Sequence, residues 1–157
     1  MSGNRTFTMI KPEAVAKGYI GKIIDHIISG GFKIIAMKYV HLSLAQAQEF
    51  YGVHKGKGFY DDLTHYMSGG PIVAIALEKE NAVADFRALV GSTDPNEANE
   101  GTIRKRFAES KSKNAVHGSD SDENAEIEIN FDKKNWFNQK DKFGKFLEDM
   151  SKFSGPW

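Results

Sequence analysis

Apolar residues along the chain change their spacing several times, and each change predicts an element. Thr6 to Ile10 is a short run that reads as a strand, broken at Lys11-Pro12-Glu13. Pro12 suits the first turn of a helix, where its missing N–H leaves no bond unmade. Ile20, Ile23, Ile24, Ile27 and Ile28 then recur at helical spacing, and Gly30-Gly31 supplies the stop. Phe32 to His41 reads as a second strand of mixed apolar pattern. Ser43-Leu44-Ala45-Gln46 has the form of a capping box and opens a short helix toward Tyr51.

Gly52 to Gly58 is rich in glycine and lysine and reads as a loop, while Phe59 to Met67 reads as helix. Ser68-Gly69-Gly70-Pro71 is strong turn punctuation before Ile72 to Glu78, the best candidate for a buried strand. A helix with Val83, Phe86 and Val90 facing inward follows and closes at Gly91. Ser92 to Gly101 is a polar loop, and Thr102 caps a short helix through Phe107. Ser110 to Ser121 is irregular apart from a short edge of strand at Ala115-Val116, after which Asp120 and Ser121 cap a last helix carrying Ala125 and Ile129.

Strands and helices thus alternate, but the strands are too few for a deep doubly wound sheet. The better fit is α+β: a ferredoxin-like split βαβ with a four-stranded antiparallel sheet and flanking helices. Residues 1–157 read as a single domain with a C-terminal extension from about residue 133, where Phe143 and Phe146 suggest docking onto the body. No internal repeat or low-complexity tract is visible.

Composition narrows the function. Twenty-one basic and twenty-one acidic residues cancel, so the basic surplus usual for a nucleic-acid or anionic-membrane partner is missing. With no cysteine there can be no disulfide, thiolate metal site or thiol nucleophile. The polar start, Met1-Ser2-Gly3-Asn4-Arg5, lacks the apolar core of a signal peptide, and Pro71 to Leu77 is far too short to span a bilayer. A cytoplasmic protein with no membrane partner is the expectation.

The chemistry concentrates in Asn114-Ala115-Val116-His117-Gly118-Ser119-Asp120-Ser121. A histidine followed by glycine and small polar residues is expected on a bend, outside any regular element. A nucleophilic imidazole needs one nitrogen held by an acceptor and the other free, and Ser119, Asp120 and Glu128 lie close in sequence. Taken alone, the segment reads first as a turn histidine that caps a helix.

Other segments change that balance. Asn114 to Ser121 matches the N-x-x-H-G-S-D signature of nucleoside diphosphate kinases, and Thr8-Met9-Ile10-Lys11-Pro12-Glu13, Ser68-Gly69-Gly70-Pro71 and Gly101-Thr102-Ile103-Arg104 match in order. The chain therefore resembles that family from about Thr6 to Phe131. The resemblance implies ping-pong transfer of a γ-phosphate between nucleotides, with His117 attacking through Nδ1 and Glu128 fixing the ring. Ser119 and Tyr51 resemble residues packed beside the reacting centre. Lys11, Arg87, Thr93, Arg104 and Asn114 resemble nucleotide contacts, and a polyphosphate needs such preorganised donors. Each of these, alone, would read as an ordinary surface or boundary residue. Phe59 resembles the aromatic that stacks on the base, a contact tolerant of base identity, with Leu63 adding apolar area beneath.

No P-loop, HExxH or EF-hand pattern is present, so Mg²⁺ is expected to arrive on the nucleotide, held mainly by phosphates and water. The other histidines show no ligand spacing. The resemblance further implies a homo-oligomer, with the long tail ending Phe153-Ser154-Gly155-Pro156-Trp157 favouring a hexamer over a tetramer. Departures from the family cluster at Lys57, Gly58, Glu100, Lys105, Arg106 and Lys111, and they point to a softer nucleotide clamp. Two rival functions remain at this level: a binding protein on the same fold without catalysis, and a nucleic-acid binder, which zero net charge disfavours.

Overall fold

The structure, a computed structural model, describes residues 3–137. The expected docking of Phe143 and Phe146, and the tail from Phe153 to Trp157, lie outside the described residues. In chain order the elements are β1 (Arg5–Ile10), α1 (Pro12–Ala16), α2 (Ile20–Ser29), β2 (Lys33–Val40), α3 (Leu44–Phe50), α4 (Tyr60–Ser68), β3 (Ile72–Glu78), α5 (Ala82–Val90), α6 (Ile103–Phe107), β4 (Val116–Gly118) and α7 (Asp122–Phe137).

Four strands form one sheet in the order β2-β3-β1-β4, every neighbouring pair antiparallel. This is the split βαβ arrangement that the alternation predicts. In the sheet's interior β3 is buried from Ile72 to Leu77, because core packs on both of its faces. Alternate residues divide between them. Val73, Ile75 and Leu77 join Ile10, Ile23, Ile27 and Phe86 on one side, and Ala74 and Ala76 join Phe7, Met9 and Met67 on the other. That period-two division is what a strand covered on both faces requires.

Local chemistry sets the ends of the helices. At α3 the capping box forms as expected: Gln46 N–H donates to Ser43 Oγ at 3.1 Å, and Ser43 N–H donates to Gln46 Oε1 at 2.9 Å. Thr102 caps α6 by accepting from the Lys105 N–H at 3.3 Å. Gly91, at φ 88°, ends α5 where a Cβ would come within 2.7 Å of Thr102 Oγ1. Only glycine allows both that backbone angle and that approach.

Two expectations need correction. The segment Gly52–Gly58 is not wholly loop, since Gly52–His54 winds one 3₁₀ turn. More consequential, the last strand is Val116–Gly118 rather than Ala115-Val116, so His117 lies within a strand and not on a bend. The reversal falls three residues before Gly118, at Ala115, whose φ is 73°. Val116, His117 and Gly118 then pair with Ile10, Met9 and Thr8 of β1. At the far end, α7 runs through residue 133 to Phe137, past the point where composition suggests an extension.

Candidate active site

His117 is held from three directions. Its backbone sits in the β1–β4 ladder, and its carbonyl accepts a hydrogen bond from Thr8 Oγ1 at 2.6 Å. Its ring Nε2 is hydrogen-bonded to Glu128 Oε1 of α7. Around the ring, Phe50 at 5.4 Å, Tyr51 at 6.2 Å and Phe7 at 6.2 Å present edge-on aromatic contacts. Nδ1 makes no hydrogen bond to any described residue. One nitrogen is thus fixed by a carboxylate and the other left open.

Ser119 ties this arrangement to the sheet. Its hydroxyl accepts from the Phe7 N–H at 3.3 Å, and its single proton is shared between Phe7 O at 3.3 Å and Glu128 Oε1 at 3.4 Å. Tyr51 is buried, and its hydroxyl finds no hydrogen-bond partner among the described residues. Burial, and secondarily the charge of Glu128, push that phenol well above its ordinary range, so it stays neutral.

Two clefts flank the strand. The first, about 230 Å³, is lined by Phe50, Tyr51, His54, His117, Asp120 and Glu128 among others. The second, about 260 Å³, is lined by Arg87, Gly91, Ser92, Thr93 and Arg104. Gly118 lines both, so the imidazole side and the cationic side meet at β4.

Arg104 spends three donors on backbone carbonyls: Asn114 at 3.3 Å, Gly91 at 3.2 Å and Val116 at 3.0 Å. A guanidinium carries five N–H groups, so two remain for a ligand. Burial and the charge of Arg87 lower the pKa of Arg104. Arg87 itself is exposed and reaches Ser119 O only at 3.5 Å. Behind them, buried Lys11 donates to Asn114 Oδ1 at 2.5 Å, and Asn114 Nδ2 donates to Lys111 O at 3.0 Å. Burial first, and Arg104 second, push Lys11 down from 10.5 to about 8, against an upward pull from Glu13.

Of the residues expected in the site, the structure places His117, Glu128, Ser119 and Tyr51 in one cluster, and Arg87, Thr93 and Arg104 in the adjoining cleft. Lys11 and Asn114 pair beneath the latter through Arg104. Phe59 stands apart. It lines neither cleft, is half exposed, and connects to them through His54, whose ring lies 5.3 Å away. Leu63 packs partly buried against the core. Thr8, Phe7, Phe50 and Glu13 were not expected. Phe7 to His117 spans more than a hundred residues of chain, and no local spacing carries such a contact.

Comparison with known proteins adds a separate line of support. A family model described as nucleoside diphosphate kinase matches residues 4–141. A nucleoside diphosphate kinase of Flavobacterium psychrophilum is 59% identical over 128 residues, covering 82% of this chain and 92% of that protein. That of Chlorobium limicola is 54% identical over 127 residues, covering 81% and 91%. Among solved structures, the Aquifex aeolicus nucleoside diphosphate kinase superposes with a TM-score of 0.80 at 44% identity, covering 82% of this chain and 93% of that one. A halophilic nucleoside diphosphate kinase from Halobacterium salinarum, solved in complex with CDP, gives 0.78 at 34% identity, covering 82% and 87%. Fold and relatives together define an α+β phosphotransferase. The chain belongs to the nucleoside diphosphate kinase family, and its activity is that of such an enzyme.

Proposed function

We propose that this chain exchanges the terminal phosphate between nucleotides by a two-stroke relay through His117. The observation that supports the reading best is the division of labour on the imidazole: Nε2 is engaged by Glu128, while Nδ1 is open at the cleft. In the first stroke the Nδ1 lone pair attacks the γ-phosphorus of a nucleoside triphosphate. The bond from that phosphorus to the bridging oxygen breaks, and the diphosphate leaves with the electron pair. Glu128 balances the positive charge left on the phosphorylated ring through the Nε2–H. In the second stroke a terminal oxygen of another diphosphate attacks the same phosphorus, and the N–P bond returns its electrons to Nδ1.

Arg87, Thr93 and Arg104 would hold the phosphates, Lys11 and Asn114 the phosphate–sugar end, and Phe59 the base. Charge in this transfer resides on phosphate oxygens, so fixed cations in a partly buried cleft contribute most of the stabilisation. Among the described residues no group of three His, Cys, Asp or Glu side chains gathers into a metal cage. Mg²⁺ would arrive on the nucleotide, held mainly by phosphates and water, and would neutralise charge on the phosphate oxygens. The Halobacterium relative was solved in complex with CDP, which supports a nucleotide as the ligand of this chain. A homo-oligomer, favoured as a hexamer, and a cytoplasmic location complete the reading. No described helix is long and apolar enough to cross a membrane.

Intact-mass analysis after incubation with ATP and Mg²⁺, quenched at alkaline pH, tests the relay. The expected result is one added phosphate, labile to acid, removed by GDP and absent in His117→Ala. Turnover retained by His117→Ala would overturn the mechanism.

A further inference from the structure

The left-handed turn at Ala115 is clamped by a single short segment. Lys11 N–H donates to Ala115 O at 2.8 Å, and Ala115 N–H donates to Glu13 Oε1 at 3.0 Å. A non-glycine residue at φ 73° is strained and persists only where its surroundings hold it. Here both of its backbone groups are held, one by the end of β1 and one by a side chain from the first turn of α1. The turn matters because of what it carries. Asn114, just before it, accepts from Lys11 Nζ through its side chain and from Arg104 Nε through its carbonyl. Val116, just after it, accepts from Arg104 Nη2 and opens the strand that bears His117.

Glu13 also has a charge to place. Its second oxygen, Oε2, is buried and has no hydrogen-bond partner among the described residues. The charged groups acting on Lys11 are Arg104 from α6 and Glu13 from α1, and from the loop before β4 neutral Asn114 accepts its hydrogen bond. Lys11 and Arg104 therefore repel each other beneath the cleft, and among the described residues Glu13 is the acidic group acting on Lys11.

We propose that Glu13 is a positioning residue for phosphoryl transfer: its carboxylate holds the turn that aligns Asn114, Arg104 and His117, and it supplies the counter-charge for Lys11. This rests on the reading of Lys11 as a nucleotide contact. Without Glu13 the ammonium would face burial and Arg104 with nothing opposing them, and it would lose its proton at a lower pH. Glu13→Gln keeps an oxygen for the Ala115 N–H and removes the charge. Glu13→Asp keeps the charge and draws the carboxylate back from the turn by one methylene.

The test reads Lys11 directly, by NMR titration of the full chain labelled with ¹³C-lysine, with the resonance assigned by Lys11→Arg. Alongside it, kcat/KM is followed from pH about 6 to about 10. In Glu13→Gln the Lys11 midpoint should fall by roughly one pH unit, and the high-pH limb of kcat/KM should move with it. Activity would then drop roughly fivefold at pH about 8 and little at pH about 6. In Glu13→Asp the limb should stay in place while kcat/KM falls at every pH. An unmoved Lys11 midpoint in Glu13→Gln, or a uniform loss with no movement of the limb, would overturn the proposal. Because the titration needs neither nucleotide nor turnover, it stands even if wild-type protein gains no phosphate on His117, the result that would defeat the relay itself. Should Glu13→Gln fail to fold, Glu13→Asp decides: a Lys11 midpoint that falls although the charge remains would equally overturn it.

Discussion

Lys11 shows at residue scale how stability and activity pull against each other in this site. Its pKa falls from 10.5 to about 8 on folding, which corresponds to about 3 kcal/mol spent on keeping a buried ammonium charged. Since the folded value is the lower one, that cost is fully present below about pH 8. It is relieved as pH rises toward the unfolded value. A bound polyphosphate adds its negative charge to that of Glu13 and should return the pKa toward its ordinary range. Binding at pH about 8.5 is therefore expected to take up roughly half to three-quarters of a proton. Calorimetry in two buffers of different ionisation enthalpy measures this directly, and Lys11→Ala should abolish the uptake. Uptake unaltered in Lys11→Ala would place the titrating group elsewhere.

Among the elements, those with strong periodic or punctuated sequence were the legible ones. The isoleucines of α2, the Ser43–Gln46 box of α3 and the apolar run of β3 each carry their own signal, and each formed where the pattern put it. The three-residue β4 carries none. Its pairing with β1 is non-local, and the residue that turns the chain into it is an alanine in a conformation that sequence reserves for glycine or asparagine. For the same reason the support around His117 from Phe7, Thr8 and Glu13 was invisible, while the motif around His117, being contiguous, was plain. Departures inside a loop are easier to judge once its geometry is known. Gly58 precedes the exposed Phe59, and a Cβ there would meet nothing within 4 Å. Its N–H donates no hydrogen bond to a described residue. A side chain at this position meets no clash at Cβ, and Gly58→Pro restricts the chain, an entropy effect of about 0.4–1 kcal/mol. It is expected to tighten nucleotide binding about twofold to fivefold in calorimetry, whereas unchanged affinity would count against a soft clamp at this position.

At the scale of the whole molecule, one side of the sheet is left apolar and open among the described residues. β2 is an edge strand, and no described strand pairs with its outer side. Met37 and Tyr39 lie opposite Ile75 and Val73 in the ladder, on the face that α2 helps to cover further in, yet they are 47% and 63% exposed. Ile35 on β2 is 39% exposed and Ile28 on α2 54%. An edge of this length with apolar side chains and free backbone groups is a template for pairing unless it is charged, bulged or covered. The bulge between Ile34 and Ala36 interrupts its inner ladder, but Lys33 and Lys38 are the only charges along it. The homo-oligomer proposed above would give this surface a use, since a second copy would bring the same apolar residues and the same edge strand in a self-complementary arrangement. Replacing Met37 and Tyr39 together by glutamate would bury like charges at such a contact, at a cost of several kcal/mol. The variant should keep its fold by circular dichroism, while light scattering should report a mass reduced at least by half. A mass unchanged by both charges would assign assembly to another surface and leave this edge without a partner.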